Sequence, residues 1–293
     1  MPILNLPPDN WGKYYFPTTS DKHRQSSQLN IVIFCSYGYG YAALRTLINL
    51  SKIGFNIDCV VTDDIKDHRA RINKKNRFWK NYSTDQQQAL LADIVKLSLR
   101  HHIPVYTGSI KHEIFYNIIE KTNPNLFILA GFGQILNSKL FTFPSLGGFN
   151  IHPGTNLSKR EYRGVDPISE IIKNNEQYSY MNIHAVNDVI DGGQIIGKSP
   201  PINLRFQHRI ENTLSKKMMV FHKVSLAAPY LVENLVYTAI SSLKNKESKI
   251  TQLFERTNAC TKKILELPIQ DMEYTFIRPS EDKVISKLTR IHA

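Results

Sequence analysis

Apolar runs rich in β-branched residues alternate with amphipathic segments along most of this chain. The run LNIVIFCS (29–36) is typical of a buried parallel strand, and apolar positions then recur at helical spacing through YAALRTLINLSKIG, up to Gly54. FNIDCVVTDD follows as another apolar, β-branched run. A strand, a helix and a strand in succession predict a right-handed βαβ unit within a parallel sheet.

The same alternation continues, less regularly, toward the end of the chain. We predict helices over 84–102, 111–122, 165–174 and 212–241, and strands in HIPVYTG, NLFILAGFG, GGFNIHP and SYMNIHAVN. IGKSPPINL is predicted to be an edge strand, since its paired prolines cannot donate to a central ladder. The pattern therefore predicts an α/β fold with a doubly wound, mostly parallel, Rossmann-like sheet.

Composition divides the chain into three parts. Residues 1–28 are rich in Pro, Ser, Asp and Lys and are expected to form an N-terminal extension outside the core. Residues 29–241 carry the α/β pattern and form the predicted main domain. Residues 242–293 contain at most two strand-like runs, EYTFIRP and DKVISKL, so we predict a short C-terminal extension there and not a full five-stranded OB-fold.

A glycine-containing turn follows the first strand. Gly38, Gly40 and Ala43 fit the pattern G-x-G-x-x-A, and Asp63 closes the next strand. In dinucleotide-binding proteins such glycines admit a pyrophosphate and the acid holds a ribose, so an NAD-dependent dehydrogenase is one hypothesis. A tight turn without a ligand explains the same residues, because glycine is common at strand-to-helix turns and tyrosines crowd this one. We favour that second interpretation.

The strand GGFNIHP ends with polar residues on one side. Residues two apart in a strand share a side, so Asn150 and His152 face the same way, and Pro153 ends the ladder at the edge where α/β sheets form ligand clefts. In NDVIDGGQII, Asp191 precedes two glycines that allow a sharp turn toward this edge. A histidine that shuttles a proton, an acid that orients it and an amide that stabilises an oxyanion suit attack on a carbonyl carbon. The alternative, a buried histidine satisfied by one neighbour, explains His152 alone but not the three residues together.

Charge and cysteine content narrow the class of protein. The 293 residues include 37 Lys and Arg against 25 Asp and Glu, a net charge of +12 that favours phosphate-bearing or nucleic-acid partners unless it is only a solvated, lysine-rich surface. The three cysteines are far apart, which indicates a reducing compartment and no metal site. The sequence shows no signal-peptide pattern and no apolar run of about 20 residues, so we expect a soluble, cytoplasmic protein that does not enter a membrane.

The segment 29–231 resembles the folate-dependent formyltransferase family. The resemblance rests on FNIHPG, YRGVDP and IDGGQII, in family order, and on AGFGQIL ahead of them. It implies that Asn150, His152 and Asp191 are catalytic, that 29–241 is the catalytic domain, and that N10-formyltetrahydrofolate donates the formyl group without a metal. In the implied mechanism an amine attacks the formyl carbon, Asn150 and protonated His152 stabilise the oxyanion, and Asp191 keeps His152 charged. By the same match, the folate would contact Phe132, Gln134, Ile135, Leu136, Val186 and Asp188.

The family match also suggests where an acceptor would bind. Many members have Ser-Leu-Leu-Pro before the Tyr-Arg-Gly, whereas this chain has the longer and more polar GTNLSKREYRG. The His in MNIHAVN and the His-Pro-Gly in place of His-Pro-Ser are similar to sugar N-formyltransferases, which favours a phosphate-bearing amine such as a nucleotide-linked amino sugar. Acceptor contacts are predicted at Asn156, Lys159, Arg160, Tyr162, Arg163 and His184.

Other members of the family remain alternatives. Methionyl-tRNA formyltransferases carry a basic loop where this chain has KDHRARINKKNRFWKNY (66–82), whose basic and aromatic residues suit RNA, although a solvated loop explains them as well. A glycinamide ribonucleotide formyltransferase fits less well, because its first loop is a Ser- and Asn-containing phosphate cradle. A formyltetrahydrofolate hydrolase would keep the same three residues and use water. A homodimer is one assembly that the sequence leaves open.

Overall fold

The computed structural model of the protein describes residues 3–7, 10, 12–16, 28–63, 94–157, 162–164, 166–205 and 213–253. The strands within these ranges are β1 (Ile3–Asn5), β2 (Lys13–Tyr15), β3 (Leu29–Cys35), β4 (Phe55–Val61), β5 (Val105–Tyr106), β6 (Leu126–Ala130), β7 (Gly147–Pro153), β8 (Tyr178–Ser179), β9 (Met181–Ala185), β10 (Ile195–Lys198) and β11 (Ile202–Asn203). Nine of them form one sheet in the order β1-β2-β5-β4-β3-β6-β7-β9-β10, and β8 pairs with β11 separately.

The centre of the large sheet is parallel. β5, β4, β3, β6 and β7 pair in parallel, which places their carboxyl ends at one edge. β2 and β9 pair antiparallel on the two outer sides, and β1 and β10 follow them. This arrangement confirms the predicted α/β fold and places the end of β7 beside an antiparallel neighbour.

Helices cover both faces of the sheet. β3 shows why the sequence requires this: Ile31 and Ile33 belong to one apolar cluster, and Val32 and Phe34 belong to another. Successive strand residues point to opposite faces, so a strand that is apolar at every position is stable only between two layers. The helices are α1 (Tyr37–Leu50), α2 (Glu113–Thr122), α3 (Ser138–Phe141), α4 (Pro167–Lys173), α5 (Thr213–Ser225) and α6 (Ala228–Lys244).

The N-terminal residues extend the sheet, so the prediction that 1–28 lie outside the core is wrong for the part that the structure describes. β2 pairs with β5, and Leu6 is buried in the apolar cluster that contains α2. Asn10 is also buried, and its Oδ1 accepts a hydrogen bond from the Ser109 backbone N–H at 2.8 Å. Strands of three residues are too short to show a hydrophobic period, which is why composition suggested an extension. The domain limits at 29 and 241 stay predictions.

Two predicted elements are divided in the structure. The edge position of IGKSPPINL is confirmed for β10, but after Lys198 the chain leaves the large sheet and pairs with β8 as β11. The helical pattern over 212–241 forms two helices, because α5 ends at Ser225 and α6 begins at Ala228. Pro229 lies in the first turn of α6, where a residue without an N–H breaks no helical hydrogen bond.

Several predictions fall outside the described residues. These are the basic stretch 66–82, the first part of the helix predicted over 84–102, of which residues 94–100 are helical, and most of the C-terminal extension. Within the ranges given above, no helix is both long and apolar enough to cross a bilayer.

Candidate active site

Two polar side chains stand side by side at the carboxyl end of β7. Asn150 and His152 line the same cleft, as their spacing predicts. β7 lies between β6 and β9, so Asn150 is opposite His184 and His152 is opposite Asn182 in the antiparallel β7–β9 pair. The cleft therefore lies at the strand edge where open α/β sheets bind ligands.

The loop formed by residues 186–192 brings a carboxylate to the same place. Asp191 has φ of 50°, a left-handed conformation that aspartate adopts more readily than most residues. Gly193 approaches the Ala185 carbonyl so closely that any Cβ would collide with it. Asp191 Oδ1 accepts a hydrogen bond from Asn150 Nδ2 at 2.8 Å, and Oδ2 accepts one from the Gly164 N–H at 2.8 Å. The structure thus brings together the three residues that the sequence suggested.

His152 is fixed by both of its ring nitrogens. Its Nε2 lies 2.9 Å from the backbone carbonyl oxygen of Tyr162, which can only accept, so Nε2 carries the hydrogen. Nδ1 faces Asp191 Oδ2 at 3.7 Å. Burial lowers the pKa of His152 from its ordinary 6.5; the charge of Asp191 raises it and His184 lowers it, without reversing the effect of burial. The expectation that Asp191 keeps His152 protonated therefore does not describe the free protein.

Asp191 is ionised in this surrounding. Burial by itself raises the pKa of Asp191, but the charge of His152, a hydrogen bond with His184 and the Gly164 N–H together lower it well below the ordinary 3.8. A carboxylate that accepts hydrogen bonds and lies between two imidazoles is a stable anion. The arrangement can therefore stabilise a positive charge that appears on His152 during a reaction.

His184 belongs to this group and does not lie on an acceptor surface. It is 2% exposed, and its Nδ1 donates to the Ala185 carbonyl oxygen at 3.0 Å. Its Nε2 lies 3.3 Å from Asn150 Nδ2 and 3.4 Å from Asp191 Oδ1. The sequence singled out His184 but not this position, because the position depends on the antiparallel register of β7 and β9.

The cleft continues between two loops. The residues predicted to contact folate all line it, and they come from the loop formed by residues 131–136 and from the 186–192 loop. Ile135, Val189 and Ile190 are 42%, 55% and 54% exposed, which is unusual for large apolar side chains. The lining residues in question are Phe132, Gln134, Ile135, Leu136, Val186 and Asp188.

Gln134 has a structural task besides lining the cleft. Its Nε2 donates to the Gly108 carbonyl oxygen at 2.9 Å, and its Oε1 accepts from the Ile110 N–H at 3.1 Å. Both ends of the amide are thus bound to the backbone of the segment that follows β5. The sequence pattern gave Gln134 only as a pocket residue.

The residues predicted to contact an acceptor are in different surroundings. Tyr162 is 1% exposed, and its hydroxyl donates to Glu176 Oε1 at 2.5 Å, so its side chain is held inside the protein. Arg163 is half-buried and donates from Nε to the Leu157 carbonyl oxygen at 2.8 Å. Asn156 is exposed. Lys159 and Arg160 lie outside the described residues.

The glycine turn after β3 does not have the form of a dinucleotide site. Gly38 has φ of 27°, and a Cβ there would collide with the ring of Phe221, so α5 fills the space beside this glycine. A Cβ on Gly40 would lie 2.5 Å from the Ala130 carbonyl oxygen. Asp63 is buried and accepts hydrogen bonds from within the protein. The glycines therefore allow protein groups to approach each other, as the tight-turn interpretation predicts.

Other chemistry is not indicated by the part of the chain that the structure covers. Its residues include no group of three or more His, Cys, Asp and Glu that could hold a metal ion. Cys35 and Cys59 are buried, and burial raises the pKa of both thiols, so neither is an activated nucleophile.

The fold and the polar residues at its strand ends define an α/β protein with a Rossmann-like sheet and a candidate active site for carbonyl chemistry. The sequence profile of the family described as "Formyl transferase" matches residues 54–218, more than half of the chain. The chain belongs to the formyl transferase family.

Individual relatives match more distantly. The bifunctional polymyxin resistance protein ArnA of Wigglesworthia glossinidia brevipalpis is 26% identical over 223 residues, which cover 76% of this chain and 29% of that protein. A methionyl-tRNA formyltransferase of Syntrophus aciditrophicus (strain SB) is 28% identical over 207 residues, which cover 67% of this chain and 65% of that protein. The chain thus spans less than two thirds of the length of each of these relatives.

Solved structures share the fold. A phosphoribosylglycinamide formyltransferase from Anaplasma phagocytophilum superposes with a TM-score of 0.53 at 18% identity, covering 78% of this chain and 96% of that chain. A formyltetrahydrofolate deformylase from Pseudomonas syringae pv. tomato gives a TM-score of 0.51 at 14% identity, covering 78% of this chain and 67% of that chain. At these identities the likeness concerns the Rossmann-like fold.

Proposed function

We propose that this protein transfers the formyl group of N10-formyltetrahydrofolate to a primary amine. The observation that carries the proposal is the contact of Asp191 with both Asn150, at 2.8 Å, and His152, at 3.7 Å, at the end of one cleft. Membership in the formyl transferase family supports it. The catalytic roles of the three residues are part of the proposal.

The cleft suits a folate donor. Its two loops offer an exposed apolar rim at Ile135, Val189 and Ile190, against which an aromatic ring system can pack. The polar residues lie deeper, where a reacting carbonyl has to be placed. The donor is therefore expected to lie between the 131–136 and 186–192 loops with its formyl group toward β7.

The residues can move the proton that the reaction requires. The amine nitrogen attacks the formyl carbon, and neutral His152 accepts the proton that the nitrogen loses. The imidazolium is stabilised by Asp191 and then donates this proton to N10 as the bond between the formyl carbon and N10 breaks. Because the pKa of His152 is lowered, the base is available in its neutral form at neutral pH.

Asn150 is assigned to the oxyanion of the tetrahedral intermediate. Its Nδ2 hydrogens point to Asp191 Oδ1 at 2.8 Å and to His184 Nε2 at 3.3 Å. The longer contact, to His184, is the one that an oxyanion replaces at lower cost. Asp191 then orients the amide as well as the imidazole.

For the acceptor we propose a nucleotide-linked amino sugar. The net charge of +12 suits a phosphate-bearing molecule, and the sequence around His152 and His184 is similar to sugar N-formyltransferases. The second candidate is a charged methionyl-tRNA, because several curated relatives are methionyl-tRNA formyltransferases. Both acceptors present a primary amine on a polyanionic carrier, and the same three residues would act on either.

The donor is tested by thermal unfolding with 5-formyltetrahydrofolate, on wild type and on His152→Ala. A ligand at 100 times its Kd stabilises the folded state by about 2.7 kcal/mol, which is readily measured as a shift in melting temperature. We expect a shift with the folate for both proteins and none with reduced nicotinamide. A shift with the nicotinamide alone would sink the proposal in favour of a dehydrogenase.

The acceptor is then tested by turnover. Nucleotide-linked amino sugars, methionyl-tRNA and glycinamide ribonucleotide are each supplied with N10-formyltetrahydrofolate, and formylated product and free formate are measured. Formyl transfer to the amino sugar supports the proposed acceptor, and transfer to the tRNA replaces it with the second candidate. Formate release without an acceptor would identify a hydrolase.

A further inference from the structure

The 131–136 loop is held from behind by a buried carboxylate. Asp63 follows β4 and is 1% exposed. Its Oδ2 accepts a hydrogen bond from the Gly133 N–H at 3.0 Å and another from Ser36 Oγ at 3.2 Å. One carboxylate oxygen therefore joins the ends of β3 and β4 to the middle of a loop that belongs to the cleft.

Gln134 anchors the same loop on another side. Its side chain bonds to the backbone at Gly108 and Ile110, at 2.9 and 3.1 Å, as described above. Gly133 and Gln134 are thus fixed by two different neighbours, and both anchors use side-chain amide or carboxylate groups. The cleft-lining residues on either side, Phe132 and Ile135, receive their positions from these two anchors.

We propose that Asp63 is a positioning residue for the donor: it sets the conformation of the 131–136 loop and thereby the affinity for the folate. This inference rests on the proposed function. It gives Asp63 a task that differs from the ribose contact suggested by the glycine pattern. Asp63 does not line the cleft, so its effect is exerted through Gly133.

The physical reason is the cost of leaving buried donors without an acceptor. When Asp63 is replaced by an apolar residue, the Gly133 N–H and the Ser36 hydroxyl both lose their bond to it. The loop then samples conformations in which these donors reach water, and the donor has to select the competent one. The affinity for the folate falls, whereas the chemistry at His152 is unchanged once the folate is bound.

Three variants test this inference. Asp63→Asn keeps an oxygen acceptor for Gly133, Asp63→Ala removes it, and Asp58→Ala removes another buried aspartate from the other side of β4 as the control. For Asp63→Ala we expect about a tenfold rise in the Kd for 5-formyltetrahydrofolate and in the donor KM, as for the loss of one hydrogen bond to a charged group. We expect less than about a threefold change in kcat. Asp63→Asn and Asp58→Ala should keep the donor Kd close to that of wild type.

Amide hydrogen exchange gives a readout that needs no folate. Asp63→Ala should raise the exchange of residues 131–136 well above that in Asp58→Ala, because only the first variant removes the acceptor at Gly133. An unchanged donor Kd and unchanged exchange of this loop in Asp63→Ala would overturn the inference. So would a fall in kcat with an unchanged KM.

The test separates this inference from the proposed function. If the wild type binds no folate, the proposed donor is wrong, and with it the claim about donor affinity. If the wild type binds folate and Asp63→Ala binds it equally well, only the inference is wrong. Should Asp63→Ala not fold, Ser36→Ala replaces it, since it removes the second bond to Asp63; a two- to threefold rise in donor KM is then expected, at roughly half a kcal/mol, and an unchanged KM overturns the inference.

Discussion

The Nε2 of His152 donates its hydrogen to the backbone carbonyl oxygen of Tyr162 at 2.9 Å. This bond fixes the tautomer, so Nδ1 is the nitrogen that gains and loses a proton. Nδ1 faces Asp191, whereas Tyr162 is itself held by Glu176 and by Asn174 through its hydroxyl. A backbone carbonyl and a carboxylate on opposite sides of the ring therefore decide both its orientation and its proton chemistry.

The pH dependence of turnover should report the neutral form of His152. Because burial lowers its pKa below 6.5, we expect the acid limb of kcat/KM to lie below pH 6.5. The charge of Asp191 raises this pKa, so Asp191→Asn should move the acid limb to still lower pH and reduce kcat by about 10²–10⁴-fold. Steady-state rates between pH 4.5 and 9 measure both effects. An acid limb that moves to higher pH in Asp191→Asn would contradict the assignment of His152 as the base.

Asn150 should contribute to kcat more than to donor binding. Asn150→Ala removes the amide assigned to the oxyanion, and loss of one such donor reduces kcat by about 10²–10³-fold. The variant should retain a donor Kd within about threefold of wild type, because the oxyanion exists only after the amine has attacked. Single-turnover rates and folate titrations separate the two quantities. A rise in Kd with an unchanged kcat would place Asn150 in ground-state binding.

Part of this site follows from the sequence by geometry. The two-residue period of a strand places Asn150 and His152 on one side, and the glycines after Asp191 indicate a tight turn. The apolar runs that are hydrophobic at every position predict a sheet covered on both faces. These features are local, so a single sequence is enough to predict them.

The remainder depends on pairings between distant segments. His184 lies opposite Asn150 only because β9 runs antiparallel to β7 in one register. The contact of His152 with the Tyr162 carbonyl involves a backbone atom, which carries no signal in the sequence. Asp63 is a related case, since its position after β4 fits either a ribose contact or the bond to Gly133 that the structure contains.

His152 should also make the protein sensitive to acid. Its folded-state pKa lies below 6.5, so between pH 6.5 and that lower value the unfolded chain binds a proton that the folded protein does not. The free energy of unfolding should therefore fall as the pH decreases below 6.5, by at most about 1.4 kcal/mol per pH unit for one group. His152→Gln should show a shallower decrease in urea unfolding between pH 7.5 and 5. His101→Gln, at an exposed position, is the control and should retain the wild-type slope.

The turn after Asp191 should tolerate no side chain at Gly193. A Cβ there would collide with the Ala185 carbonyl oxygen, so Gly193→Ala has to displace either β9 or the loop that carries Asp191. Gly148→Ala is the matched control on β7, because its Cβ would lie 3.5 Å from Phe127 Cβ, an ordinary contact. We expect Gly193→Ala to lower the free energy of unfolding by about 1–3 kcal/mol and to reduce kcat, whereas Gly148→Ala should change the stability by less than about 1 kcal/mol. Equal stabilities of the two variants in urea would show that the close approach of Gly193 to Ala185 does not hold the position of Asp191.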